Sequence, residues 1–167
     1  MKSIDKTAII YEPVVFLDDA KHTFKIGPRC SIGQFSFIGA RKLVMEEGAE
    51  ICATAVLSGG GDVYMCKYSC VDFGAKLISC TFTTDGLYMN DAILRDSPEK
   101  TDVLRGSITL KEGAVVASNA IICVSKRCPN ITIGEFAVVG AGSYIDHNVP
   151  PRTITRPVKT YHVELRR

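Results

Sequence analysis

The stretch IGPRCSIGQFSFIGA, residues 26–40, places Ile26, Ile32 and Ile38 six residues apart. That interval fits neither an amphipathic helix, which repeats near 3.6, nor an alternating strand of period two. Working outward, four more triplets keep the beat: Met45, Ile51, Leu57; Met65, Val71, Leu77; Leu110, Val116, Ile122; and Ile133, Val139, Ile145. A solenoid with three short flat sides per turn buries one side chain per side and so has this period. A second column, not used to choose the register, checks it. Four residues after the first and second member of each triplet stand Cys30, Ser36, Ala49, Ala55, Ser69, Ala75, Ala114, Ala120, Ala137 and Ser143. Every one is small, as tight corners packed against the next turn require.

Between triplets the chain adds one residue after Ile38, two after Leu57, twenty-seven after Leu77 and five after Ile122. Each insertion follows the third member, so all should leave along one edge of the prism. The pattern predicts an all-β fold, a single-stranded parallel β-helix of about five coils spanning residues 24–149. At about 4.8 Å per coil the stack is on the order of 24 Å tall. Residues 80–107 are expected to project as a loop after coil three, and loops of that length are uncommon and usually functional. Residues 1–23 read as a cap over the first coil, covering strand edges that a solenoid end otherwise leaves bare. Residues 150–167 read as a basic tail, with Pro150 and Pro151 ending the ladder. One domain accounts for all 167 residues.

Composition removes several function classes. The net charge of +2 is too small to argue for nucleic acid, and no basic stripe is interleaved with aromatics. No apolar run is long enough to span a membrane. The N-terminal residues lack a signal-peptide cleavage pattern, so a cytoplasmic protein is expected. The seven cysteines are odd in number and not paired in CxxC clusters. Several stand at corners or directly after triplet residues, where they read as small packing residues in a reduced compartment. Only His22, His147 and His162 are available as imidazoles, and none stands at matching repeat positions. A three-histidine zinc site is therefore not expected, nor is any other metal.

IGPRCSIGQFSFIGA and ITIGEFAVVGAGSYIDHNVPPRTI (131–154) resemble the hexapeptide-repeat acyltransferases over roughly residues 24–159, most specifically in VVGAGSYI followed by VPP. The resemblance implies a left-handed helix and a homotrimer with sites between subunits. It implies transfer of an acetyl group from acetyl-CoA to a hydroxyl or amine of a sugar. Members of this family use a loop histidine as general base, yet CTFTTDGLYMNDAI (80–93) has none. This loop and SPEKTDVLRGSITL (97–110) are similar to a branch of sugar acetyltransferases from polysaccharide biosynthesis. On that likeness Asp85 is the first candidate base, with Asp91 and Glu99 next. Three routes stay open: a desolvated carboxylate base, an amine acceptor needing no strong base, or His22 or His147 reaching in from a neighbouring subunit.

For the coenzyme, the resemblance implies Ser118 and Ala141 along the coils. It places His147, in Asp146-His147, where the family has Thr-Lys, and Arg156 and Lys159, with Arg152, near the phosphates. The bland reading of these cations is a solvated tail, and that of Asp85-Gly86 is a turn. VSKRC (124–128) has no counterpart; Lys126 and Arg127 either guard the coenzyme cleft or keep the loop soluble. A solenoid that has lost catalysis and serves as a binding module is the alternative.

Overall fold

The structure, a computed structural model, describes residues 1–17 and 19–157. Each coil contributes one strand to each of three parallel sheets, here faces A, B and C. Coil one is β1 (Lys2–Ile4), β2 (Ile9–Ile10) and β3 (Val15–Phe16). Coil two is β4 (Thr23–Ile26), β5 (Ser31–Ile32) and β6 (Phe37–Ile38), and coil three is β7 (Lys42–Met45), β8 (Glu50–Ile51) and β9 (Val56–Ser58). Coil four is β10 (Asp62–Met65), β11 (Cys70–Val71) and β12 (Lys76–Ile78). An insertion carrying β13 (Cys80–Phe82), α1 (Asp91–Asp96), a 3₁₀ turn (Pro98–Lys100) and β14 (Val103–Arg105) follows. Coil five is β15 (Ser107–Leu110), β16 (Val115–Val116) and β17 (Ile121–Cys123). Coil six is β18 (Asn130–Ile133), β19 (Val138–Val139) and β20 (Tyr144–Ile145), and β21 (Ile154–Thr155) opens a seventh.

The triplets explain the stacking. Ile26, Met45, Met65, Leu110 and Ile133 are successive partners on face A. The second members pair down face B and the third down face C. All fifteen triplet residues and all ten corner residues are at most 4% exposed. Face A adds a column that the six-residue beat does not mark: Phe24, Leu43, Val63, Ile108 and Ile131, each two residues before the triplet member and buried. Its strands are four residues long, so alternation along them brings a second side chain inside.

Two expectations are corrected. Among the described residues the helix has six coils and the start of a seventh, not about five. Residues 1–17 pair as coil one, with Ile4 beside Ile26, Ile10 beside Ile32 and Phe16 beside Ile38. At the other end Pro150 and Pro151 do not stop the ladder: Val149 bridges Ile133, and β21 pairs with β19. In the coil above, the Gly134 N–H donates downward to the Val149 carbonyl. Pro150 occupies the equivalent place one coil on, where no further strand of face A lies among the described residues, so its missing N–H leaves no described ladder bond unmade.

Glycines at the corner between faces A and B let aromatic rings lie over them. A Cβ on Gly48 would stand 2.6 Å from the Tyr68 ring, and one on Gly113 would stand 2.5 Å from the Phe136 ring. Both glycines also have φ near +65°, which side-chain-bearing residues adopt at a cost.

Candidate active site

The insertion after coil four is a built element rather than a bare loop. β13 and β14 pair antiparallel, Cys80 opposite Arg105, and form the stem of a hairpin. At its tip the Asn90 side chain accepts from the N–H groups of Ala92 and Ile93 and caps α1. Gly86 is required by crowding, since a Cβ there would meet the Asp102 nitrogen at 2.4 Å.

The VSKRC insertion supplies a clasp. Lys126 pairs with Asp85 and, at 2.9 Å, with Asp102. The Thr83 hydroxyl donates to Asp102. The Thr83 hydroxyl, then Lys126, hold the Asp102 carboxyl below the usual carboxylate range. The bond to Asp85, then that to Asp102, raise Lys126 above the ordinary lysine value. Both insertions leave from the edge between faces C and A, as the sequence spacing requires. Lys126 therefore ties the hairpin to coil five.

β13 separates two clefts along this edge, each of about 420 Å³, with Thr81 and Phe82 contributing to both. The first opens toward the N-terminal coils. Leu17, Phe37, Leu94 and Val103 give it apolar walls, Asp91 and Arg105 supply charge, and His22 adds an imidazole. His22 Nδ1 stands 2.6 Å from Asp19 Oδ1, its side chain is 13% exposed, and its ring stacks on Phe24 with centroids 6.0 Å apart. The second cleft lies between the hairpin and VSKRC and is lined by Ser125, Lys126, Arg127, Tyr144 and Asp146.

The three expected carboxylates are not gathered at one point. Asp91 lines the first cleft, whereas Asp85 is 65% exposed and held by Lys126. Glu99 is exposed in the 3₁₀ turn. Tyr88 and Met89 are exposed on the hairpin rather than lining either cleft. His22 enters the first cleft from within the same chain.

The coenzyme candidates divide between two edges. Ser118, Ala141 and Arg156 lie on the edge between faces B and C. Ser118 donates its hydroxyl to Asp72 at 2.6 Å, which is the main cause holding the Asp72 carboxyl low. Ala141 and Arg156 are exposed. His147 stands on the opposite edge of face C, 3.2 Å from Asp146, with the Asp146 carbonyl accepting from Ser125. Arg152 is drawn over the Phe136 ring at a corner of faces A and B. Lys159 lies outside the described residues. Arg105 was missed in sequence. Its signal was present in the alternation of VLR after SPEKTD, but its direction depends on the hairpin register.

The sequence matches no family model. It is 28% identical over 131 residues to the bifunctional protein GlmU of Legionella pneumophila, a match covering 78% of this chain and 22% of that one. The chain thus spans about a fifth of the length of the curated relatives it matches. A mutant of AntD, an N-acyltransferase from Bacillus cereus, in complex with dTDP and coenzyme A, superposes with a TM-score of 0.75 at 20% identity, covering 88% of this chain and 77% of AntD. Another AntD mutant, in complex with dTDP-4-amino-4,6-dideoxyglucose and coenzyme A, gives 0.70 at 23% identity, covering 98% and 81%. The hexapeptide-repeat acetyltransferase VCA0836 of Vibrio cholerae, complexed with acetyl-coenzyme A, gives 0.50 at 17%, covering 84% and 64%. The chain has the fold of the hexapeptide-repeat acyltransferases. A mirror-image coil would not superpose to this extent, so the helix is left-handed as in that family.

Proposed function

We propose that this chain is an acetyl-CoA-dependent acyltransferase acting on a nucleotide-linked amino sugar. The observation that carries the reading is the first cleft. It offers apolar walls for a sugar ring, Arg105 for an anionic group and Asp91 for a cationic one, while the hairpin itself supplies no imidazole. AntD, which shares the fold, is an N-acyltransferase solved with an amino sugar on dTDP.

An amine brings its own lone pair once deprotonated, so the residues need only hold it and remove one proton. The nitrogen attacks the thioester carbonyl, the N–C bond forms as the C–S bond breaks, and the second proton shed by the nitrogen passes to the departing sulfur, so coenzyme A leaves as its thiol. Asp91 is assigned to orient the ammonium group and take its proton through water. Asp85 is assigned to the clasp. Small residues along the edge of Ser118 and Ala141 leave backbone groups accessible to the pantetheine arm, and Arg156 and Lys159 are assigned to the phosphates.

The acceptor cleft and this coenzyme edge lie on opposite sides of face C. A homotrimer, with one subunit's hairpin facing its neighbour's coenzyme edge, brings them together. The exposed Tyr11, Phe35 and Phe73 fit such association. The acylated sugar would serve surface polysaccharide synthesis, and the reaction belongs in the cytoplasm with its nucleotide-linked substrate. Among the described residues no helix is long and apolar enough to cross a membrane.

A second reading, O-acetylation, is favoured by one observation: the His22–Asp19 pair at the first cleft is a ready base for a hydroxyl. The test is release of free thiol from acetyl-CoA with dTDP-4-amino-4,6-dideoxyglucose and with a matching dTDP-sugar bearing a hydroxyl at that carbon. Turnover on the amine supports N-acylation, and turnover on the alcohol alone supports the second reading. Release with neither, and without acetyl-CoA binding at millimolar ligand, returns the chain to a binding module.

A further inference from the structure

Away from both clefts, the outward side of face B carries a compact group of donors. Glu50 of β8 stands directly beside Cys70 of β11. Cys52 follows Glu50 by two residues and so points the same way, as does Asp72 after Cys70. The donor atoms of Glu50, Cys52 and Cys70 all lie within 4.8 Å of one another, and both thiols are half-buried. The charges bearing on both thiols are the carboxylates of Glu50 and Asp72. Two sulfurs and a carboxylate under a negative potential, without a compensating cation among those charges, are a donor set suited to a soft divalent ion.

We propose that Glu50, Cys52 and Cys70 form a binding site for a thiophilic divalent cation, with zinc as the representative ion, that clamps coil three to coil four. Tetrahedral zinc at about 2.0–2.3 Å from its ligands sets them about 3.3–3.8 Å apart. The 4.8 Å separation therefore calls for a contraction of at most about 1.5 Å, within reach of side-chain rotation on a fixed ladder. Asp72 is engaged by the Ser118 hydroxyl and serves as a neighbouring charge. The fourth position faces a cavity of about 290 Å³ lined by Glu50, Cys52 and Phe73 and is filled by water. Binding releases the thiol protons, so affinity rises with pH. The ion takes no part in acyl transfer, and the proposal does not depend on that reading.

The test uses the reduced, full-length protein, freed of metal by chelator and titrated with cadmium chloride while the thiolate-to-metal charge-transfer absorption is followed. Zinc chloride is titrated in parallel by calorimetry. The expected result is saturation at about one equivalent per chain. Cys52→Ser and Cys70→Ser should each raise the dissociation constant at least about tenfold, or 1.4 kcal/mol. Cys128→Ser, on the far edge, should leave it unchanged. Folding of each variant is checked by its β circular dichroism. If Cys70→Ser does not fold, Cys52→Ser and Cys52→Ala decide the matter alone. Absence of saturable binding, or saturation that survives loss of the Cys52 thiol, overturns the proposal.

Discussion

Asp85 and Asp91 stand six residues apart on one hairpin, in different surroundings. A carboxylate that is to accept a proton from an alcohol must be withdrawn from water, and Asp85 is 65% exposed and clasped by Lys126. Asp91 is exposed as well, but it lines the cleft that also holds Arg105 and His22, and no lysine among the described residues clasps it, which suits it to an amine acceptor rather than to an alcohol. On an amino-sugar acceptor, Asp91→Asn should lower kcat/KM by about 10²-fold, the usual contribution of a positioned acid–base group. Asp85→Asn should change it by less than about threefold on the same scale. His22→Asn separates the acceptors, costing little on an amine and about 10² on a hydroxyl. Steady-state thiol release measures all three. A further residue-scale effect concerns alkali. Burial above all, and then Glu50, push the Cys70 thiol from 9.0 up to about 11. A folded value raised above the unfolded one means the folded state keeps its proton longer. The stability it confers is complete below about pH 9 and is lost as pH rises through about 11. Thermal unfolding should therefore show Tm falling across that window, with a shallower slope in Cys70→Ser.

The element that decides the site is the hairpin, and its attachments can be tested one by one. Gly106 closes β14 onto coil five, where a Cβ would stand 1.7 Å from the Pro129 carbonyl oxygen. Backbone cannot yield as a side-chain end can. Gly106→Ala should therefore cost about 3 kcal/mol, read from the urea midpoint. Gly60 has φ near +71° but open space around it, so Gly60→Ala should cost only the left-handed strain, about 1–2 kcal/mol. The Lys126 clasp is of another kind. Its partners are exposed, and such pairs add little to global stability. Lys126→Ala should leave Tm unchanged but loosen the hairpin and raise KM for the acceptor. Added salt should do the same to the wild type, because exposed pairs are screened. A Lys126→Ala enzyme with normal KM at low salt would show that the clasp does not shape the cleft.

At the scale of the whole molecule, face C separates the first cleft from the edge of Ser118, Ala141 and Arg156, so on the proposed assignment a lone subunit would hold two half-sites. Light scattering should report about three times the 18.2 kDa chain mass. A charge placed at Phe73, which is 58% exposed near face B, should yield folded monomers that bind acetyl-CoA weakly and do not turn over. A fully active monomer would refute the shared site.

The six-residue beat and its small corners determined the architecture from sequence alone, because each coil must bury one side chain per side whatever lies outside it. The insertion points likewise fixed the edge on which a site could form. The first coil escaped notice for a local reason. Ile4 and Ile10 are covered from one side only, Ile4 remains 39% exposed, and Val14 stands where other corners have a smaller residue. Which side chains meet was decided only by the tertiary structure. Lys126 reaches Asp85 across 41 residues, and Cys70 falls beside Glu50 through the register of coil on coil. His22 and Asp91 line one cleft only because a hairpin folds back over the edge. Repeats report what every coil must do in common. A site is made where coils differ, and those differences touch one another only in three dimensions.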